Sequence, residues 1–338
     1  MKIKYFFRVL SGATFGKMKT VVKRVHEKSG KNKILVFFDI IGCAIKYGAG
    51  YNDYLIFEFY NMKAAQRKTY MTRMKNKKFD MLCNDQKYTY IFDNKNIFDK
   101  RFAKYLGRET LDLAEADYER FAQFAKGKDV FFAKPNVGES GKGIEKLRAE
   151  DFADTQALWA YVTDKGKNFG VIEEALQQHE DAAKIYPCSM NCLRVATLVK
   201  DGKVHILYAV FKTGNNGNFV DNLENGGLAC SFDLDTGTVT GRGHSSALEL
   251  YDAHPYTGIS FVGYQLQFHE EIKELVCQAA MEVPEMRYVG WDVCFTRNGP
   301  AIIEGNDYPA YDFPQLPEAD KPRVGFLHTV QQVMPEFK

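Results

Sequence analysis

The chain has 338 residues, of which 45% are hydrophobic and 26% are charged. A chain of this length usually forms two or three domains, and this composition is typical of globular proteins and excludes a disordered chain. The formal net charge of +2 hides an asymmetry, since residues 1–104 carry 23 Lys and Arg against 8 Asp and Glu, whereas residues 105–338 carry 22 against 35. The basic front segment predicts an anionic partner, and a solvated basic face is the alternative.

Residues 1–30 predict a basic amphipathic helix, because apolar side chains recur at helical spacing among lysines and arginines. These apolar residues are Phe7, Leu10, Val21, Val22 and Val25. Such a helix either packs on its own domain or makes peripheral contact with the inner face of the plasma membrane, and both alternatives stay open. The sequence shows no secretory signal and no run of about 18 apolar residues, so we expect a cytoplasmic protein whose seven cysteines are free thiols.

Residues 31–90 continue the helical pattern, and from about residue 91 the chain becomes acidic and its apolar residues begin to alternate, which predicts strands. The predicted strands are 130–134, 144–147, 170–174, 194–200, 205–211, 290–296 and 301–304, and the predicted helices are 111–125, 151–161 and 268–281. Strands follow strands through short turns, which predicts an α+β fold with antiparallel hairpins rather than a doubly wound sheet. The change of pattern near residue 91 separates a helical front region, residues 1–90, from the rest of the chain.

A glycine-rich loop follows the first predicted strand. The strand delivers Lys134, and the loop then contains Gly138, Gly141 and Gly143 before the next strand begins. Glycines let backbone N–H groups approach an anion closely, so this loop, with Lys134 and Lys142, predicts a phosphate-binding site. It is not a Walker A motif, because it is too short, has no Ser or Thr after Lys142 and leads into a strand rather than a helix. A glycine-rich turn without a ligand is the alternative.

The second motif is a hairpin whose two alternating strands flank an Asn-Gly turn. A two-residue turn would place Asp292 and Glu304 on opposite faces of the hairpin. A three-residue loop with a left-handed glycine pairs Thr296 with Pro300 and sets Asp292 opposite Glu304, with Asn306 on the same face. Two carboxylates and an amide oxygen on one face are the hard ligands that magnesium prefers, whereas a solvated hairpin with scattered acids is the alternative.

Together the loop and the hairpin, in this order and about 150 residues apart, resemble the ATP-grasp superfamily. Within it the chain is similar to the sugar-transfer-associated branch, which is found with polysaccharide biosynthesis. The strings that carry the resemblance are Asp93-Asn-Lys95, Lys134-Pro135 with the glycine loop, Val171-Ile-Glu-Glu174, Asn191-Cys-Leu-Arg194, Val220-Asp-Asn-Leu-Glu-Asn-Gly-Gly227, His254-Pro255 and the hairpin. The resemblance covers most of the chain and implies an ATP-grasp fold. Residues 91–190 would form its small subdomain with the glycine loop, and residues 191–338 its large subdomain with the metal-binding hairpin, after a basic helical region at residues 1–90.

The resemblance also implies roles for the residues at matching positions. Lys95 and Lys134 would contact the nucleotide phosphates. The loop that closes over the phosphates would contain Gly138, Glu139, Ser140, Gly141, Lys142 and Gly143. Glu173 and Glu174 would lie at the strand that holds adenine and ribose. The ligands of one or two magnesium ions are Asp292, Glu304 and Asn306. For each glutamate the alternative is an ordinary surface acid at the end of a strand.

Two further sets follow from the same resemblance. Arg194 and Lys212 would lie near the γ-phosphate as catalytic residues, and Arg194 is alternatively a structural ion-pair partner. Many relatives have an arginine two residues before the metal-binding aspartate, where this chain has Gly290, so Arg194 is the substitute that we assign. The candidate substrate contacts are Asn222, Asn225 and His254. For these the alternatives are an inert loop at residues 221–227 and a turn role for His254.

The resemblance implies an ATP-dependent, ADP-forming ligase that joins a carboxylate to an amine through an acyl-phosphate. Its branch suggests an amide between an amino acid or amine and a uronic-acid-containing glycan, or an activated sugar precursor, in the biosynthesis of capsule, O-antigen or exopolysaccharide. Two alternatives stay open, namely a kinase of a glycan hydroxyl and a catalytically silent nucleotide-binding scaffold. The basic segment lacks a nucleic-acid-binding motif, so we expect no nucleic-acid partner.

Overall fold

The structure, a computed structural model, describes residues 12–138, 141–318 and 321–337, with side chains from Phe15 onward. The chain forms two compact units. We call them the terminal unit, made of the described residues of Met1–Leu82 and Ala310–Lys338, and the central unit, Cys83–Pro309. The divisions expected after residues 90 and 190 remain predictions. Phe7 and Leu10 of the first predicted helix lie outside the described residues.

The regular elements are numbered in chain order within the described residues. The helices are α1 (Gly12–Ser29), α2 (Lys33–Tyr47), α3 (Tyr51–Ile56), α4 (Ala64–Lys68), α5 (Arg73–Cys83), α6 (Tyr90–Asp93), α7 (Lys95–Phe102), α8 (Tyr118–Ala125), α9 (Thr155–Val162), α10 (Glu180–Ile185), α11 (His269–Ala280) and α12 (Leu327–Val333). The strands are β1 (Thr110–Asp112), β2 (Val130–Lys134), β3 (Glu145–Arg148), β4 (Val171–Glu174), β5 (Cys192–Lys200), β6 (Lys203–Thr213), β7 (Leu228–Asp233), β8 (Thr238–Val239), β9 (Gly243–His244), β10 (Leu250–Tyr251), β11 (Tyr288–Thr296) and β12 (Gly299–Asn306).

The terminal unit is helical, which confirms the helical N-terminal region expected from the sequence. Val21, Val22 and Val25 of α1 are buried, so the apolar face of this helix packs inside its own unit. The C-terminal residues join this unit through Gln315, whose Nε2 donates to the Met71 carbonyl at 2.6 Å while its Oε1 accepts from the Met71 N–H at 3.1 Å. The first and last segments of the chain therefore share one core.

The central unit contains two sheets in which every described strand pair is antiparallel, as the α+β prediction requires. The smaller sheet has the order β1-β4-β2-β3, and α8 and α9 contribute Phe121 and Leu158 to its core. The larger sheet has the order β10-β9-β7-β6-β5-β11-β12, with β8 paired to β7. Its core takes Ile272 from α11, and Phe102 of α7 meets Trp291 with a ring-centroid distance of 5.4 Å.

Two predicted helices begin later than expected. The helix predicted at residues 111–125 is wrong in its first half, because Thr110–Asp112 form the edge strand β1 and pair with β4. Its helical part begins after Asp117, whose side chain accepts a hydrogen bond from the Arg120 N–H at 2.9 Å. The helix predicted at residues 151–161 likewise begins after Asp154, which caps α9 through the Ala157 N–H at 2.8 Å. Both aspartates satisfy N–H groups that a helix start leaves unpaired.

The β11–β12 hairpin sets Asp292 opposite Glu304, as the sequence predicts, but by a different route. Thr296 pairs with Gly299, so the predicted three-residue loop is wrong and the turn has two residues. A two-residue turn alone would pair Asp292 with Ile303. A β-bulge at Ile303 inserts one extra residue, and this shift moves Glu304 opposite Asp292.

Candidate active site

A cavity in the central unit is lined by residues of both sheets and of α7. The predicted site residues that line it are Lys95, Lys134, Gly138, Gly141, Lys142, Glu173, Glu174, Asn222, Asp292 and Glu304. The smaller sheet supplies the lysine and glutamates of β2 and β4, and the larger sheet supplies the two carboxylates of the hairpin. Residues far apart in the chain therefore converge on one space.

The basic side of the cavity is built from Lys95 and Lys134. Lys95 begins α7, and its Nζ donates to the Gly138 carbonyl at 3.0 Å, so it contacts the glycine loop directly. Burial lowers the pKa of Lys95 below its ordinary value. An anion at this point would stabilise the charged lysine, which is the electrostatic setting expected of a phosphate site.

Lys134 belongs to a buried ion-pair group that we call the Glu173 cluster, formed by Glu173, Lys134 and Arg108. The Glu173 Oε2 lies 2.6 Å from the Lys134 Nζ and 2.9 Å from the Arg108 Nε. Burial raises the pKa of Glu173, but the charges of Arg108 and Lys134 outweigh it and hold the pKa at about 2. Glu173 is thus an ionised partner of Lys134, whereas its neighbour Glu174 is partly exposed on the cavity wall.

Arg108 is a cavity residue that the sequence analysis does not identify. Its Nη1 donates to the Ile302 carbonyl at 2.9 Å and its Nη2 to the Ile303 carbonyl at 3.2 Å. These are the carbonyls at the β-bulge, so the same guanidinium binds Glu173 of the smaller sheet and the bulge of the larger one. Only an arginine offers several donors in a fixed planar arrangement for such a set. A lone arginine before a strand carries no sequence signal of this role.

The acidic side of the cavity contains the Asp292 cluster, formed by Asp292, Arg194, Lys212 and Asp221. Both Asp292 oxygens are paired: Oδ1 with the Arg194 Nε, and Oδ2 with the Arg194 Nη2 at 2.9 Å and the Lys212 Nζ at 2.9 Å. Burial raises the pKa of Asp292, but Arg194 and Lys212 outweigh it and hold the pKa far below its usual range. Arg194 and Lys212 are buried, and Arg194 makes the ion pair that the sequence leaves open as an alternative, while its catalytic role stays a prediction.

Asp221 is the second cavity residue that the sequence analysis does not place in the site. Its Oδ1 lies 3.4 Å from the Lys212 Nζ, while its Oδ2 is buried without a hydrogen-bond partner among the described residues. Burial raises the pKa of Asp221, opposed by the charge of Lys212. A buried carboxylate oxygen without a partner is unfavourable, so the cavity wall contains a negative group that a cation or a proton would stabilise.

Glu304 completes the acidic side. Burial raises the pKa of Glu304, and the negative charge of Asp292 raises it further. Asn306 follows on the same strand, and its Nδ2 donates to the Gly290 carbonyl at 3.2 Å, which leaves Oδ1 as the amide atom able to bind a cation. Mutual repulsion of carboxylates is what a divalent cation would relieve, and oxygen donors are the ligands magnesium prefers, so the residues fit such an ion. Among the described residues, however, no group of three or more His, Cys, Asp and Glu is already arranged around a metal position.

The glycine loop approaches the segment after β6. Gly141 has a φ of +72°, a left-handed conformation that favours glycine, and a Cβ atom added there would lie in ordinary van der Waals contact, 3.4 Å from the Val220 Cγ1 and 3.5 Å from the Asn222 Oδ1. Gly143 lies against Pro135, where an added Cβ would come within 2.9 Å. Glu139 and Ser140, which the resemblance also places in the loop, lie outside the described residues.

Two predicted substrate residues, His254 and Asn225, are not among the residues that line the cavity. His254 is fully buried, with its Nε2 2.8 Å from the Gly214 carbonyl and its ring stacked on Tyr186 at a centroid distance of 5.0 Å. Burial lowers the pKa of His254, which agrees with a neutral ring in a packing position. Asn225 is exposed, and neither residue is part of the cavity lining.

The chain was compared with known proteins by sequence and by structure. No curated protein sequence matches it. Among solved structures it is similar to the ATP-grasp ligase PsnB complexed with minimal precursor (13% identity, 76% of this chain and 64% of that chain, TM-score 0.45). It is similar to D-alanyl-alanine synthetase A from Vibrio cholerae O1 biovar eltor (15% identity, 73% and 65%, TM-score 0.42). It is also similar to N5-carboxyaminoimidazole synthetase from Staphylococcus aureus complexed with ADP (12% identity, 76% and 57%, TM-score 0.46).

The matched part of this chain spans less than two thirds of each of these three structures, 64%, 65% and 57% of their lengths. The family comparison covers a similar share of this chain. The sequence profile described as sugar-transfer associated ATP-grasp matches residues 74–332, which is more than half of the protein and includes every cavity residue named above. The chain belongs to the sugar-transfer-associated ATP-grasp family.

Proposed function

We propose that this protein is an ATP-dependent ligase that joins a carboxylate to an amine through an acyl-phosphate and releases ADP. The observation that supports it best is the division of charge across one cavity. Lys95 and Lys134 line the cavity together with Gly138 and Gly141 of the glycine loop, and the cross-strand pair Asp292 and Glu304 lines it as well. A triphosphate and its magnesium ion need this combination of cations and hard oxygen donors.

The residues of the chain would act mainly by positioning charge. Lys95 and Lys134 neutralise the phosphates, and the loop from Gly138 to Gly143 excludes water from an activated carboxylate. Asp292, Glu304 and Asn306 would hold one or two magnesium ions. When bound, the metal neutralises charge that develops on the transferred phosphoryl group. Arg194 and Lys212 act through Asp292, whose orientation they fix.

The substrate class rests on family membership. We propose that the carboxylate is a uronic acid of a glycan, or of its activated sugar precursor, and that the amine is an amino acid or another small amine. The product would be an amide in a capsule, O-antigen or exopolysaccharide. The seven cysteines are all free thiols, which supports a reducing compartment such as the cytoplasm.

The test is a screen for ADP release from ATP and magnesium, with uronic acids and amines added singly and together. A ligase releases ADP when both are present, and hydroxylamine in place of the amine should trap the acyl-phosphate as a hydroxamate. The Glu304→Gln variant should lose this release, whereas Glu150→Gln, at a side chain that is 76% exposed, should keep it. Wild-type protein that releases no ADP with any pair would contradict the proposal.

A kinase of a glycan hydroxyl is the second candidate, because the same nucleotide site serves either acceptor. The same screen separates the two. ADP release with a neutral glycan alone, without hydroxamate formation in hydroxylamine, selects the kinase. A scaffold without catalytic activity would bind ATP and release no ADP under any of these conditions.

A further inference from the structure

The outer face of α2 is apolar and exposed. Four large side chains of this helix are exposed to solvent by 42 to 69%, and Phe15 of α1 by 45%. We call this surface the α2 ridge, and its members are Phe15, Ile34, Leu35, Phe38 and Ile45. At helical spacing the four α2 residues fall on one side of the helix.

The opposite side of α2 is apolar as well. Val36, Ile40, Cys43 and Tyr47 are buried in the terminal unit. A surface helix normally presents a polar face to water, whereas a helix that is apolar on both sides is normally covered on both. Contiguous exposed apolar patches of this kind on a monomer usually mark an interaction site. We therefore expect the outer side of α2 to be covered by a binding partner.

The ridge is held in a fixed shape rather than formed by loose side chains. The Phe15 and Phe37 rings meet edge to face with a centroid distance of 6.2 Å, and Phe37 meets Phe38 at 5.5 Å. Asn32 caps the start of α2 by accepting hydrogen bonds from the N–H groups of Ile34 and Leu35. The exposed apolar residues thus begin at a defined helix end.

The charge around the ridge indicates which occupant fits. Residues 15–47 contain eight Lys and Arg against two Asp and Glu. Both acids are compensated, since Asp39 pairs with Arg67 at 2.8 Å and Glu27 lies 3.7 Å from Lys23. The exposed cations of α1, α2 and the turn between them are Lys17, Lys19, Lys23, Arg24, Lys28, Lys31, Lys33 and Lys46. A second copy of this surface would bring like charges together, whereas an anionic bilayer complements both the cations and the apolar ridge.

We infer that the terminal unit docks on an anionic lipid surface, with the α2 ridge in the interfacial layer and the surrounding lysines against the headgroups. The sequence alone directs attention to the valines of α1, but these side chains face the core of the unit. The docking residues are those of the next helix. This inference goes beyond the proposed reaction and is tested without it.

The experiment is cosedimentation of the full chain with phosphatidylcholine vesicles, with and without about 30% phosphatidylserine, at low and high salt. The wild-type protein should bind the anionic vesicles and bind more weakly at high salt. The triple variant Ile34→Ser, Leu35→Ser, Phe38→Ser should lower the affinity by about tenfold or more, because three exposed apolar side chains lose their transfer to the membrane. The matched control replaces three exposed apolar residues of the central unit, Leu250→Ser, Val262→Ser and Met281→Ser, and should bind like wild type.

Phe38→Trp supplies a second readout that separates the possible occupants. Its added tryptophan fluorescence, relative to wild type, should resemble that of exposed tryptophan in buffer and shift to the blue only with anionic vesicles. A blue-shifted signal without vesicles would mean that a second copy or another segment covers the ridge, and would overturn the inference. Equal vesicle binding by wild type and the triple serine variant would overturn it as well.

Discussion

The two buried ion-pair clusters on either side of the cavity each contain two cations, but they differ in the number of carboxylates. Glu173 meets two cations, Arg108 and Lys134, and the three side chains satisfy one another. Asp292 also meets two cations, but two further carboxylates, Asp221 and Glu304, stand beside it. Since the second cluster has excess negative charge and the first does not, the first is suited to holding the sheets in place and the second to receiving a cation.

The largest effect is expected from the residue that joins the first cluster to the hairpin. Arg108→Met removes the donors to Glu173 and to the carbonyls of Ile302 and Ile303, leaving buried polar groups without partners. Breaking a buried pair in this way costs about 3–5 kcal/mol in the free energy of unfolding. Both tryptophans, Trp159 and Trp291, lie in the central unit, so urea unfolding followed by tryptophan fluorescence reports on it.

Arg120→Met is the matched control for that experiment. Arg120 is exposed and donates to the Glu115 carbonyl at 2.7 Å, so its replacement should change the stability by about 0.5 kcal/mol or less. Equal unfolding midpoints for the two variants would show that Arg108 does not hold the bulge.

The first cluster also makes a prediction about pH. Because the pKa of Glu173 is about 2 in the folded protein and about 4.5 when exposed, its ionised form stabilises the fold above pH 4.5. That contribution, on the order of 3 kcal/mol, should be lost as the pH falls from about 4.5 to about 2. Glu173→Gln should therefore show a smaller loss of unfolding free energy over this interval than wild type. Parallel pH profiles of the two proteins would contradict the assignment.

The second cluster is tested by Glu304→Gln. The substitution removes a carboxylate that Asp292 repels, so the stability should stay equal or rise slightly, while proposed ATP turnover should fall by about a hundredfold or more. Thermal unfolding and the ADP-release assay measure the two effects separately. A variant that loses stability and activity together would place Glu304 among the structural residues instead.

These clusters also show how far the sequence predicts the site and why it stops there. Lys134 and Asp292 stand next to glycines and turns in short motifs, so local spacing and the family resemblance identify them. Arg108 and Asp221 lie in no such motif, and their roles depend on contacts with residues far along the chain.

The strand register of the β11–β12 hairpin also depends on contacts that the local sequence does not reveal. The three-residue loop expected from the sequence would set Asp292 opposite Glu304, yet the pairing results from a bulge at Ile303, whose carbonyl accepts a hydrogen bond from Arg108. The secondary structure before α8 shows the same limit, because the sequence predicts one helix where the structure has the strand β1 and a helix that begins after Asp117. The helix predicted from the pattern of apolar residues includes Leu111 and Asp112, but these residues form a strand because they pair with β4, which lies far along the chain.

The smallest expected effect concerns Asp221, which belongs to the cluster with excess carboxylates. Its Oδ2 has no partner among the described residues, and its raised pKa means that the folded state disfavours the ionised carboxylate. The stabilising protonated form is lost as the pH rises above the folded pKa, so at neutral pH the charge is a destabilising one. Asp221→Asn keeps an acceptor for Lys212 and removes that charge. We expect a gain of about 1 kcal/mol in unfolding free energy at pH 7 and no gain at pH 3, measured by urea unfolding. A loss of stability at pH 7 would mean that the pair with Lys212 outweighs the unsatisfied oxygen.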